Sequence, residues 1–190
     1  MKTLPCLLAL LLATLLAAGP SRAEVVVSTA TEHYPVTGRT PKEIAENLKR
    51  QSPIKENGRT FQAHTRSNIR YEFSWTRKNG RCTMKKATIN ITVTYKYPEL
   101  VDTPDTRTKQ WWEAYLKRLE EHEQVHGAMA IDAARELDKT LNSLGELECS
   151  TVKDVVRALG EASLDAMRNR QRAYDAKTEH GLRQEEYKRH

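Results

Sequence analysis

Within Leu116–Leu141 the chain reads His122-Glu123-Gln124-Val125-His126: two imidazoles four residues apart, with a carboxylate directly after the first. Residues four apart on an α-helix share one face, so both rings can reach a single point in space. Zinc accepts imidazole nitrogen at about 2.0–2.1 Å, and a catalytic site takes three protein ligands and keeps one position open. The glutamate lies slightly around the helix, where it can take a proton from water activated at the ion. That is the mechanical content of the H-E-x-x-H pattern. Both histidines fall in an apolar stripe that also holds Leu119 and Met129. The bland reading is a pair of core histidines, which would need partners for four buried ring nitrogens.

A third ligand is required, and spacing alone leaves several open. Asp132 ends a metzincin-like spacing, but Met129 stands where that pattern has glycine. On a continuing helix Asp132 points about 240° away, so it is rejected. Glu146 lies past Gly145, at a helix end. Glu161 and Asp165 lie within the last helical segment and reach the site only by packing. His180, beside Gly181, can swing back from a helix end. A short turn over Gly145–Ser150 makes the last two helices antiparallel neighbours. Counting 1.5 Å per residue brings the final helix level with His126 near Met167–Arg170, which favours Asp165 or a neighbour.

The elements that must position these groups follow from periodicity. Glu24–Ala30, "EVVVSTA", is rich in β-branched residues and reads as a short strand. A helix opens after Thr40, with Pro41 at its first position and Glu43 completing a capping box. Ile69, Tyr71, Phe73 and Trp75 alternate with polar residues, Asn79-Gly80 makes a turn, and Ala87 to Tyr97 alternate back until Pro98 ends the strand. "TFQAH" at Thr60–His64 is ambiguous and reads as a possible further strand. From about Thr108 to Leu144 the period is helical, with Gly127 as a candidate bend and Gly145 as a C-terminal cap. A last helix starts near Thr151. The expected fold class is α+β: a small antiparallel sheet packed by helices, with a long H-E-x-x-H helix and a C-terminal helix.

The chain has 190 residues and a formal net charge of +6. The charge is mixed in sign along its length, so no nucleic-acid partner is expected. Lys2, an apolar run over Cys6–Ala18, and Ser21-Arg22-Ala23 together read as a cleaved secretory signal over residues 1–23. The apolar run is too short to span a bilayer comfortably, so no stable membrane insertion is expected after cleavage. The expected domain covers residues 24–182, with a disordered tail at 183–190. Cys82 and Cys149 remain after the leader, and an exported chain with two cysteines suggests one disulfide.

Several of these residues carry a resemblance. Trp112 and Leu119 ahead of His122-Glu123 and His126, Cys82, Cys149, and a terminal block of Tyr174, Asp175, Thr178, His180 and Gly181 make the chain resemble a bacterial domain-of-unknown-function family of predicted secreted zinc-dependent proteases. It departs from that family where Gln184 is followed by Glu185 rather than glycine. The resemblance implies a zincin-like domain that is periplasmic or secreted, with zinc held by His122, His126 and His180. Glu123 is then the general base for hydrolysis of a peptide or protein substrate. Asp175 becomes the acceptor that orients a ligand histidine, and Tyr174 a donor to the oxyanion. The competing expectation is a non-catalytic zinc-binding or partner-binding protein of the cell envelope.

Overall fold

A computed structural model describes residues 24–181, apart from Asn57. The proposed leader over 1–23 and the tail over 183–190 lie outside the described residues. The chain forms a mixed α+β fold in the order β1 (Glu24–Val36), α1 (Pro41–Gln51), β2 (Lys55–Glu56), β3 (Arg59–Thr60), β4 (His64–Lys78), β5 (Arg81–Leu100), α2 (Thr106–Asn142), β6 (Leu147–Glu148), α3 (Val152–Thr178). Among the described residues no helix is long and apolar enough to cross a membrane.

The main sheet is ordered β1-β5-β4, with β6 pairing the start of β5. β4 and β5 form the expected antiparallel hairpin, and Asn79 and Gly80 both take left-handed φ values, 51° and 78°, as a tight hairpin turn demands. β1 runs parallel to β5 over its whole length, so the sheet is mixed and not purely antiparallel. β1 ends beside Leu100 and β4 begins beside Lys96, so the residues between them, α1 included, cross one end of the sheet. β4 itself carries the chain back to the start of β5, which is how the parallel pair is connected. β1 also extends to Val36, beyond the expected Ala30. Pro98 does not end β5, which continues to Leu100. β4 has already ended opposite Lys96, so β5 has one unpaired edge at Pro98, and such an edge tolerates a residue with no N–H.

"TFQAH" divides. Thr60 belongs to β3, which pairs with β2, while His64 opens β4. Tyr34 donates to the carbonyl of Gln62 at 2.7 Å, and Ser52 donates to the carbonyl of Phe61. These bonds fix the segment that leads into β4. α1 keeps its full capping box, with the Thr40 side chain accepting from Glu43 and the Glu43 side chain reaching back.

One face of the sheet is covered by α2 and α3. Ala87, Ile89, Ile91 and Val93 of β5 meet Ala130, Ala133, Ala134, Leu137 and Leu141 of α2. Alanines at these positions let the helix lie close to the sheet. α2 is one uninterrupted helix of 37 residues, with no break at Gly127. It ends at Ser143, before Gly145, because Ser143 itself caps the last turn. α3 returns antiparallel. Ser163 donates to the carbonyl of Ala133 at 3.3 Å, and Gln171 to that of His126 at 3.3 Å.

β6 lays Leu147 against Cys82, and the Cys149 N–H bonds to the Gly80 carbonyl at 3.0 Å. Cys82 and Cys149 are joined by a disulfide, with their Cα atoms 5.0 Å apart. It ties the start of β5 to the start of α3 across a sequence separation of 67. A loop of that length is expected to add about 4 kcal/mol of stability in the chain-entropy account. The Cys82→Ala/Cys149→Ala protein should therefore lose about 4 kcal/mol in urea unfolding relative to the oxidised chain. A loss below about 1 kcal/mol would show that the bridge does not constrain the unfolded chain.

Candidate metal centre

The register of α2 against α3 decides which side chains meet. With Gln171 level with His126, one turn further along α3 brings Asp175 level with His122, one turn back along α2. Asp175 Oδ1 lies 3.1 Å from His122 Nε2 and 2.9 Å from His126 Nε2, and the two ring nitrogens are 3.1 Å apart. His122 and His126 are buried, and Asp175 is partly buried. Burial alone would raise the Asp175 pKa. The hydrogen bonds and charges of the two imidazoles outweigh it and hold the carboxyl well below the usual range.

The environment of His122 sets which nitrogen faces the cluster. Thr178 is fully buried, and its hydroxyl donates to the Tyr174 carbonyl at 2.8 Å. Its oxygen is then the acceptor that faces His122 Nδ1 at 3.4 Å. A proton on Nε2 makes the contact to Asp175 a hydrogen bond, whereas a proton on Nδ1, facing Thr178, frees the Nε2 lone pair for a cation at the cluster. The Tyr174 ring stacks on His122 at 4.8 Å between centroids and meets His126 edge-on at 5.2 Å. It is buried and packs against both imidazoles, away from the cavity lining.

α3 stops at Thr178, three residues past Asp175. Glu179, His180 and Gly181 all have positive φ, which turns the chain back over His122. A Cβ on Gly181, where φ is 89°, would approach His122 Cγ to 3.2 Å. His180 stands at the rim, with its side chain 47 % exposed and Nδ1 3.7 Å from Asp175 Oδ1. Its ring meets Phe61 edge-on at 5.2 Å. The three atoms that converge are thus from His122, His126 and Asp175, and His180 adjoins them through Asp175. Asp165 is not in this group. It pairs with Arg168 at 2.7 Å on an exposed face of α3. Asp132 pairs with Arg135, and Glu146 pairs with Arg81 at the far end of the sheet.

Glu123 is buried and opens on the same cavity of about 470 Å³ as the two histidines. The Thr65 hydroxyl, at the start of β4, lies 2.6 Å from Glu123 Oε2 and 3.0 Å from its carbonyl oxygen. Behind it, burial and the Glu123 charge both raise the pKa of Tyr95, and the same two causes lead at Tyr97. Both phenols therefore stay neutral beside the carboxylate.

Two imidazole nitrogens and a carboxylate oxygen are a donor set that could hold a metal ion. Tetrahedral ligands at 2.0–2.1 Å from zinc stand about 3.3 Å apart, and the three atoms here are separated by 2.9–3.1 Å. Two imidazole lone pairs and a carboxylate oxygen repel one another at that distance unless a proton or a cation lies between them.

Thr65, His64, Arg168, Gln171 and Arg172 also line the cavity and were not anticipated from the sequence. Gln171 and Arg172 were legible in principle, since residues 168, 171, 172 and 175 form one helical stripe. Thr65 carried no local signal, because strand pairing alone brings it to α2.

The chain belongs to the family described as bacterial protein of unknown function (DUF922), whose model matches residues 31–181. The matched span takes in every residue of the cluster and ends at Gly181, the residue packed on His122. Comparison with the curated proteins and with the solved structures found no match in either.

Gly127, directly after His126, has the closest approach among the described glycines: a Cβ there would lie 2.0 Å from the Tyr95 hydroxyl oxygen and 2.8 Å from Cζ. Overpacking of this kind costs about 1–3 kcal/mol, against about 1 kcal/mol gained by replacing a mid-helix glycine. Gly127→Ala should lower stability in urea unfolding. Tyr95→Leu should be less damaging in the Gly127→Ala background than alone. Strict additivity of the two changes would show that this contact is not the cause.

Proposed function

We propose that the protein is an exported zinc-dependent metallopeptidase, with the ion held by His122, His126 and Asp175 and with Glu123 as general base. The observation that carries this reading is the convergence of two imidazoles and a carboxylate beside a buried glutamate on one open cavity. The leader pattern and the disulfide support export to an oxidising compartment. A zincin-like arrangement is supported by the long helix that bears the pair and by the sheet-edge strand β4 beside it.

When bound, zinc supplies a Lewis acid and brings the pKa of water towards 7. Each side chain then has a distinct task. Asp175 offers its Oδ1 between the two rings and neutralises part of the ion's charge. Thr178 holds His122 in the tautomer that presents Nε2. Glu123 takes the proton of the attacking water and returns it to the departing amine. Thr65 holds one carboxylate oxygen, which directs the carboxylate within the cavity. The free edge of β4 begins at His64 and Thr65, both on the cavity wall, and suits main-chain pairing with an extended peptide.

Two measurements on purified protein test this. Glu123→Gln should keep stoichiometric zinc and lose peptide hydrolysis by at least about 100-fold, the lower range for general-base catalysis. Unchanged hydrolysis would reject Glu123 as base. After dialysis, Asp175→Asn should have lost its zinc while His180→Ala retains it. The reverse pattern would make His180 the third ligand.

A further inference from the structure

The cavity has a second chemical character beyond the metal cluster. Arg168, Gln171 and Arg172 line it together with Asp175, so one stripe of α3 runs along the cleft wall. At 1.5 Å per residue, Arg172 and Arg168 lie about 4.5 Å and 10.5 Å along the helix axis from Asp175. An extended peptide advances about 3.3 Å per residue. The two guanidinium groups therefore fall within about one to three residues of a bond placed at the cluster.

The charges around them leave these cations available to a ligand. Arg172 donates to the neutral side-chain oxygen of Asn169. Arg168 pairs with Asp165 through Nη1 at 2.7 Å, in an exposed pair of the kind that yields readily to a better partner. Three acids line the cavity: Asp175 is engaged by the two imidazoles, Glu123 by Thr65, and Glu56 stands on the wall formed by β2. Beyond the catalytic groups the cavity wall therefore carries two arginines against one acid. Arginine suits carboxylate recognition because its planar fork donates two parallel hydrogen bonds.

We infer that Arg168 and Arg172 form an anion-recognition subsite that selects peptides carrying an aspartate, glutamate or free terminal carboxylate within about three residues of the cleaved bond. The inference rests on the peptidase reading for the word "cleaved", while the carboxylate binding stands on the arginine stripe itself.

The test uses the hydrolysis-blocked Glu123→Gln protein, loaded with zinc, and two capped alanine pentapeptides. One carries a central aspartate and the other a central asparagine. Binding is followed by chemical-shift titration at low salt. The aspartate peptide should bind at least about five-fold more tightly, as one solvent-exposed charge-assisted contact supplies. Adding Arg168→Gln and Arg172→Gln should abolish that preference and leave the affinity for the asparagine peptide unchanged. The same change at Arg77, on the exposed end of β4, should leave the preference intact. Equal affinities for the two peptides, or binding of neither, overturns the subsite. If the aspartate preference appears while the unmodified protein cleaves neither peptide nor a mixed peptide library, the peptidase reading fails and the anion subsite stands.

Discussion

A carboxylate oxygen held about 3 Å from two imidazole nitrogens, inside a fold, is the constraint on which the rest of the structure depends. Three such atoms do not approach one another in a low-dielectric site without a proton or a cation between them. The chain accepts this arrangement by making the neighbourhood stiff. Tyr174 stacks on one ring and abuts the other, Thr178 fixes a nitrogen from behind, and Gly181 closes over His122. Each of these contacts comes from α3 or the turn that follows it, while both imidazoles come from α2. The site is thus a property of the α2–α3 register, and a slip of one residue would rotate Asp175 out of reach by about 100°.

That register is set at a distance. The disulfide fixes the start of α3 to the start of β5, and β5 is the strand against which α2 packs its alanine-rich face. From Cys149 to Asp175 is about 39 Å along a helix. Two intermediate bonds carry the alignment over that length, Ser163 to Ala133 and Gln171 to His126. The exposed ion pair between Arg170 and Glu136 lies along the same seam. The close packing of Gly127 on Tyr95 performs the corresponding task between α2 and the sheet.

Much of this was legible in the sequence where the signal is local. The capping box at Thr40 and Glu43, the Asn79-Gly80 turn and the alternation along the hairpin each rest on residues a few positions apart. The two histidines and Glu123 were legible for the same reason, since helical spacing alone puts them on one face. The third group of the cluster was harder, because it depends on how two long helices align. Counting residues from the turn put the level of His126 near Met167–Arg170, and Gln171 is the residue found there. The count was nearly right, but the group that meets both rings stands one turn beyond, opposite His122. The parallel pairing of β1 and the approach of Thr65 to Glu123 were not legible, because no short-range pattern encodes which distant strand becomes a neighbour.

β1 has a further consequence for how the molecule comes into being. Its first registered pair joins Glu24 to Thr88, and its last joins Val36 to Leu100. Nearly half of the described chain must therefore be present before the first strand finds its partner β5. Such long-range parallel pairing is slow, because loop closure precedes any gain from contacts. Until then "VVVSTA" is a stretch of β-branched residues with no charge and no proline, and Val26 and Val27 remain exposed even in the finished fold. In an order of assembly that begins with the hairpin and the helix it carries, β1 is a late closing strand. Before it closes, both edges of the sheet are open, and the waiting segment is the part of the chain most in need of shielding from its own kind.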